Sequence, residues 1–160
     1  MIRSRRDYLI RIIEEVGELL SRAVFQRQGG REQEALHAVV QSCERLFGLE
    51  AEQLFQFTPD QHFLMLTEGE DADDAQRKVL IYAALNLEAG RNYAALKKAE
   101  LARVSFLNAL RFTLRARLSF PTAPLPDYAP DVSELLALLQ AEPLDPETAR
   151  LVREAGGLSA

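Results

Sequence analysis

Three side chains in this sequence carry a nitrogen or sulfur that binds transition metals well: His37, Cys43 and His62. A tetrahedral zinc site needs three or four convergent ligands. His37 and Cys43 stand six residues apart, which on a helix puts them on opposite sides, so they cannot share an ion. With no further ligands to complete a site, no metal is expected. Cys43 falls on the apolar face of its helix, where a thiol is inert as a nucleophile. The acidic run of Glu68, Glu70, Asp71, Asp73 and Asp74 has oxygens enough for Ca²⁺ or Mg²⁺. It lacks the spacing and the distant bidentate Glu of an EF-hand loop. Its simpler role is to satisfy the first N–H groups of the helix that follows. Gly29-Gly30 follows a helix rather than a strand, and Gly156-Gly157 stops one, so neither makes a phosphate loop. Glu14, Glu15 and Glu18 lie on the wet face of their helix, without the inward Glu-x-x-His of a di-iron bundle. The sequence predicts no catalytic residue, no cofactor and no enzyme.

The basic residues form the other candidate site. The net charge is −5, from 19 basic and 24 acidic side chains, but its sign alternates along the chain. Residues 1–31 carry +3, residues 32–76 carry −10, residues 77–118 carry +7 and residues 119–160 carry −5. Lys97, Lys98, Arg103, Arg111 and Arg115, with Arg117 and the N-terminal Arg3, Arg5 and Arg6, would contact phosphates if they converged. Against that stand the negative total, the lack of aromatics interleaved with the basic residues, and the lack of any nucleic-acid-binding motif. The simpler expectation is that the basic helix meets acidic segments of its own chain. Phosphate or nucleic-acid contact is the alternative.

The elements that would position these residues are all helices. From Asp7 to Gln28 the apolar residues Leu9, Ile12, Val16, Leu19, Leu20 and Ala23 keep helical spacing, with Asp7 as expected N-cap. A second helix is expected from about Arg31 to Phe47, ended by Gly48. Thr58-Pro59-Asp60-Gln61 reads as a capping box with Pro at the first helical position. Long helices are expected at about 73–96 and 98–118. Pro121, Pro124, Pro126 and Pro130 cannot be helical and predict an extended linker. Short helices at about 132–140 and 146–155 follow. The 160 residues make one domain's worth of chain, organised as 1–120, a linker at 121–130 and a helical tail at 131–160. No membrane span or signal peptide is recognisable, so the cytoplasm is the expected compartment.

Gly90-x-x-Tyr93 followed by Ala102-x-x-x-Phe106-x-x-Ala109-Leu110 resembles the tetratricopeptide repeat. In that repeat small residues let two helices approach and aromatics fill the gap between hairpins. The first hairpin carries Gly30 and Ala35-x-x-x-Val39-x-x-Ser42 at comparable places. Asn86 stands where the repeat favours Trp, Lys97 replaces its turn glycine and Leu114 its proline. From Asp7-Tyr8 through Ile13-Glu14-Glu15 to Leu46-Phe47-Gly48-Leu49, the chain also resembles a bacterial family of small tetratricopeptide-like helical proteins with no assigned function. The resemblance implies an all-α fold of antiparallel hairpins and brings no catalytic residues.

It also implies a concave groove lined by Ala84, Leu87, Glu88, Arg91, Ala94 and Ala95. So apolar a groove suits a packed helix. Val132, Leu135, Leu136 and Leu139 form such a helix, tethered closely enough to fold back as a cap on its own chain, to swap into a second copy, or to bind another protein. Arrays of this kind need about three repeats for stability, and covering the ends by extra helices or self-association is expected. The expected function is a non-catalytic protein-interaction or scaffold module, a homodimer, with proteins rather than nucleic acid or membrane as partners.

Overall fold

A computed structural model describes residues 2–157, with side chains from residue 6 onward, so the side chains of Arg3 and Arg5 and residues 158–160 lie outside the described residues. Within them the chain is all helix, with eight helices and no strand. Helix α1 (Ile2–Gln28) and helix α2 (Glu32–Phe47) are joined through Gly29, Gly30 and Arg31. A link that short makes them antiparallel neighbours. Gly30 takes a left-handed turn conformation at φ 77° that glycine adopts without strain. Then come the short α3 (Ala51–Leu54) and α4 (Pro59–Thr67), the long α5 (Ala72–Ala95) and α6 (Ala99–Ser119), and two tail helices, α7 (Val132–Leu138) and α8 (Pro146–Gly156).

Side chains cap the starts of four helices, and a glycine closes the end of another. Gly48, left-handed at φ 71°, closes α2 with its N–H on the Glu44 carbonyl. Thr58 and Gln61 form a reciprocal capping box on α4. Asp71, Asp131 and Asp145 accept from the backbone N–H groups of Asp74, Ser133 and Thr148 to cap α5, α7 and α8. The start of α1 corrects the sequence reading: the helix begins at Ile2, so Asp7 lies inside it and caps nothing. The arginine-rich stretch before Asp7 contains neither Gly nor Pro, and the helix continues through it.

Helix α5 is the hub. Helices α1, α2, α4 and α6 all pack on it, and its buried residues run around its whole circumference, from Asp74 to Asn92. One core gathers Val16 and Ala23 of α1, Ala35 and Val39 of α2, Leu66 of α4, and Val79, Leu80 and Leu85 of α5. A second lies between α5, α6 and the tail, where Leu87, Phe106, Leu110 and Leu114 meet Leu135 and Leu139 of the tail and Leu151 of α8. The tail helices pack on α6. The proline segment is not a free tether. The Tyr128 hydroxyl donates to the Arg77 carbonyl at 3.1 Å, Tyr128 and Ala129 pack on the first core, and Pro130 is buried.

Close approach of α5 and α6 depends on Gly90, because any Cβ there would overlap the Phe106 ring. Gly17, inside α1, has open space where its Cβ would stand. The two positions make a matched test. Gly90→Ala forces the ring or the helix to move and is expected to cost about 1–3 kcal/mol. Gly17→Ala removes only backbone freedom and is expected to stabilise by about 0.5–1 kcal/mol. Urea unfolding followed by circular dichroism reads both, and equal signs for the two substitutions would contradict the assigned packing.

Candidate binding cleft

The face of α5 expected to line a groove is covered over its first half and exposed at its end. Ala84, Leu87 and Glu88 are buried. Arg91 pairs with Glu134 of α7, and Ala94 and Ala95 are exposed beside the α5–α6 turn. The reason lies at Glu88. Its carboxylate, 1% exposed, accepts from Arg27 Nε of α1 at 2.7 Å and from Asn92 Nδ2 at 2.6 Å. In the sequence a lone Glu among alanines and leucines reads as a groove lining. In the structure Arg27, reaching across from α1, takes up its charge and closes that side.

The opposite face of α5 is buried at Tyr82 and Leu85 and half-buried at Asn86, Ala89 and Tyr93, beneath a cleft. Tyr82, Leu85, Asn86, Ala89 and Tyr93 follow helical spacing and sit about 200° around the helix from Ala84, Leu87, Glu88 and Arg91. They form the floor of a cleft of about 330 Å³. One wall is Leu36, Val39, Val40 and Cys43 of α2, and the other Leu101, Val104, Ser105 and Asn108 of α6. Phe55, Phe57, Pro59 and His62, from the α3–α4 connection and α4, close one end. No Asp, Glu, Lys or Arg contributes to this lining. The rim is unusually apolar for exposed surface: Phe55 and Val104 are each 55% exposed, with Leu101 and Phe57 also open to solvent.

The polar groups at the closed end serve one another. The Leu54 carbonyl can only accept, so His62 Nε2 carries a proton and donates there at 2.8 Å. Nδ1 bonds the Tyr82 hydroxyl at 3.2 Å. Phe47 and Phe112 pack on Tyr82 with ring centroids 4.9 and 5.0 Å away. Burial raises the Tyr82 hydroxyl well above its ordinary pKa. Burial also pushes the Cys43 thiol up to about 12, with Glu44 adding to the shift, so at neutral pH it is protonated. Among the described residues no group of three or more His, Cys, Asp or Glu is placed to hold a metal ion. The His62 and Tyr82 polar atoms bond each other and the Leu54 carbonyl at the closed end of the cleft.

Arg103, Arg111 and Arg115 of α6 meet acids of the same chain. Arg103 reaches Glu142 at 3.0 Å and donates to the carbonyls of Leu139 and Pro143. Arg111 bridges Asp145 and Glu147. Arg115 pairs with Asp60 at 2.8 Å and lies 4.0 Å over the Phe63 ring. The candidate phosphate contacts therefore do not converge: three are engaged along the length of α6, while Lys97 and Lys98 stand apart at the α5–α6 turn, exposed. Asp145, held below the ordinary carboxylate range first by the Thr148 hydroxyl and also by Arg111, both caps α8 and anchors the tail. In the tail Leu135 and Leu139 are buried against α6, whereas Val132 and Leu136 are half-buried beside them.

Sequence spacing overlooked Phe55 and Phe57, which form the end of the cleft. Their signal was present as two aromatics in a polar stretch outside any helical pattern. No protein-family model, curated protein or solved structure matches the chain.

The Arg27–Glu88 pair has a distinctive energetic signature. Arg27→Ala leaves a carboxylate unpaired in the core, a change that costs about 3–5 kcal/mol at full burial and less here, where Arg27 keeps some contact with water. Joint replacement by Arg27→Met and Glu88→Leu removes both charges and is expected to recover most of that loss. Denaturant midpoints for the two variants check this; a double variant no more stable than Arg27→Ala would mean that the pair does not balance the buried charge.

Proposed function

We propose that the chain is a non-catalytic protein-interaction module. Its two long hairpins, α1–α2 and α5–α6, are arranged in the manner of tetratricopeptide repeats, with the tail as a cap. The small-residue contact of Gly90 with Phe106 and the packing of α5 against both α1 and α2 support that arrangement. The cap gives the far side of α6 the cover that another hairpin would supply in a longer array.

One observation carries the functional reading: an uncharged cleft whose rim keeps Phe55, Phe57, Leu101 and Val104 in water. Contiguous exposed apolar surface of this kind is characteristic of interaction sites. Depletion of charge at the centre with polar surroundings is the anatomy of a protein–protein interface. The working partner is a protein, and in a purified preparation a second copy is the protein available.

Light scattering coupled to size exclusion tests this. The expected mass is twice the 18.0 kDa of the chain, and Val104→Glu, placing a charge on the exposed rim, is expected to shift it to the single-chain value without loss of helix. A dimer that Val104→Glu leaves intact would move self-association to some other surface, and a chain that is single at every concentration would overturn self-association altogether.

A further inference from the structure

Resting on the reading of the cleft as a protein-binding surface, we propose that its occupant is an amphipathic helix. That helix inserts a short row of apolar side chains into the cleft and carries acidic residues at the end lying over Lys97 and Lys98. The size of the cleft comes first. Its floor from Tyr82 to Tyr93 spans eleven residue steps, about 16 Å along the helix axis, yet it holds about 330 Å³. A helix is about 10–12 Å across, and the exposed Phe55, Phe57, Leu101 and Val104 offer it a seat along the mouth of the cleft. It can lie on the rim and send in side chains spaced i, i+4 and i+7, the spacing of helix-in-groove recognition.

Backbone chemistry selects a helix over an extended peptide. The walls of the cleft are mainly apolar, and the His62 and Tyr82 polar atoms bond each other and the Leu54 carbonyl. An inserted extended backbone would lose water from N–H and C=O groups along its whole length, for which Asn86, Ser105 and Asn108 offer only a few partners, whereas a helix satisfies its own. The rim separates a helix from a small apolar ligand. A ligand confined to the cavity leaves Leu101, Val104, Phe55 and Phe57 in water, and a helix lying across the mouth covers them together with the cavity.

The lysines supply polarity and direction. Lys98 is the residue before α6, one turn ahead of Leu101 on the stripe that continues through Ser105 and Asn108 of the cleft wall. Its N–H bonds the carbonyl of Tyr93, at the end of the cleft floor. Among the described residues no acidic group pairs with Lys97 or Lys98, in contrast to Arg91, Arg103, Arg111 and Arg115. Lys97 also holds the left-handed region at φ 61°, a position glycine would fill at lower cost. A lysine kept where glycine is more stable points from an observed strain to a role for the charge. An acid-ended helix meets both ammonium groups while its apolar row meets an uncharged wall.

Selection from a displayed library of helices tests the proposal on the full chain. The library fixes apolar residues at i, i+4 and i+7 and randomises both flanks. Enrichment of Asp and Glu at one flank is expected, with Lys97→Glu/Lys98→Glu shifting it to Lys and Arg. Leu101→Glu is expected to weaken the selected helices by about tenfold or more, the scale of a buried anchor. Lys97→Gly is expected to raise the melting temperature while lowering the preference for acidic flanks. Helices that bind and are blocked by Leu101→Glu but show no acidic bias would overturn this proposal and leave the cleft as an interaction surface. A dimer abolished by Leu101→Glu, with no library helix competing, would replace the helix with a second copy. If no selected helix depends on Leu101 and the oligomeric state ignores Val104→Glu, both readings fall.

Discussion

One ion pair sets the rotation of the central helix. Arg27 on α1 meets Glu88 on α5 at 2.7 Å, with the carboxylate almost wholly out of water. Taking a carboxylate into the interior costs several kcal/mol unless a partner is present, and the pairing then roughly breaks even against an apolar contact. Its consequence is therefore geometric more than energetic. A charged residue in the middle of α5 can face inward only where Arg27 waits, and this turns Tyr82, Asn86, Ala89 and Tyr93 toward the space between α2 and α6. Gly90 adds the second constraint by letting Phe106 press against α5. Between them, the two contacts leave one face of α5 for the cleft and enclose the other.

The same logic of charge placement organises the outside of α6. The surplus of basic residues between positions 77 and 118 does not make a single electropositive patch. Arg103 and Arg111 bind the tail, Arg115 reaches Asp60 before turning its guanidinium over Phe63, and Arg91 holds α7. Each exposed pair contributes little by itself. Their work is to hold in register a seven-residue and an eleven-residue helix, so that Leu135, Leu139 just past the first helix, and Leu151 pack against α6. Isolated helices that short are marginal in water, so they owe their order to this surface. The lysines at the α5–α6 turn are outside that arrangement, which is why their charge bears on the cleft rather than on the tail.

Local chemistry made much of the fold legible in the sequence. Thr58 with Gln61, the capping aspartates 71, 131 and 145, and the glycine after α2 act through neighbours a few residues away, and helical spacing marks the long elements. The failures lie at longer range. Asp7 resembles a cap, yet nothing interrupts the helix upstream of it. The prolines at 121–130 preclude a helix but give no sign that Tyr128 will find the Arg77 carbonyl, 51 residues away. Most consequential is Glu88. Whether a lone carboxylate faces water or the core depends on a cation 61 positions earlier, and helical periodicity does not register that. The face expected to form a groove is covered, in part by the tail helix expected to fold back on it, since Leu87 clusters with Leu135 and Leu139 and Arg91 pairs with Glu134; what the sequence did not show is that Arg27 shares in covering it. Phe55 and Phe57, belonging to no helical stripe, escaped the spacing rules for the same reason.

The central claim is the rotation of α5: the side bearing Ala89 is open to a partner and the side bearing Ala84 is closed by the rest of the fold. Thiol accessibility measures it directly. In a Cys43→Ser background, Ala89→Cys and Ala84→Cys each introduce one cysteine of modest size on opposite faces of the same helix, and labelling by a small thiol reagent is followed under native conditions. The account predicts that Cys at 89 reacts in the folded chain, while Cys at 84 reacts only when denaturant unfolds it. Rapid native labelling at 84 with protection at 89 would contradict it, and would return the open groove to the face that the repeat resemblance first suggested.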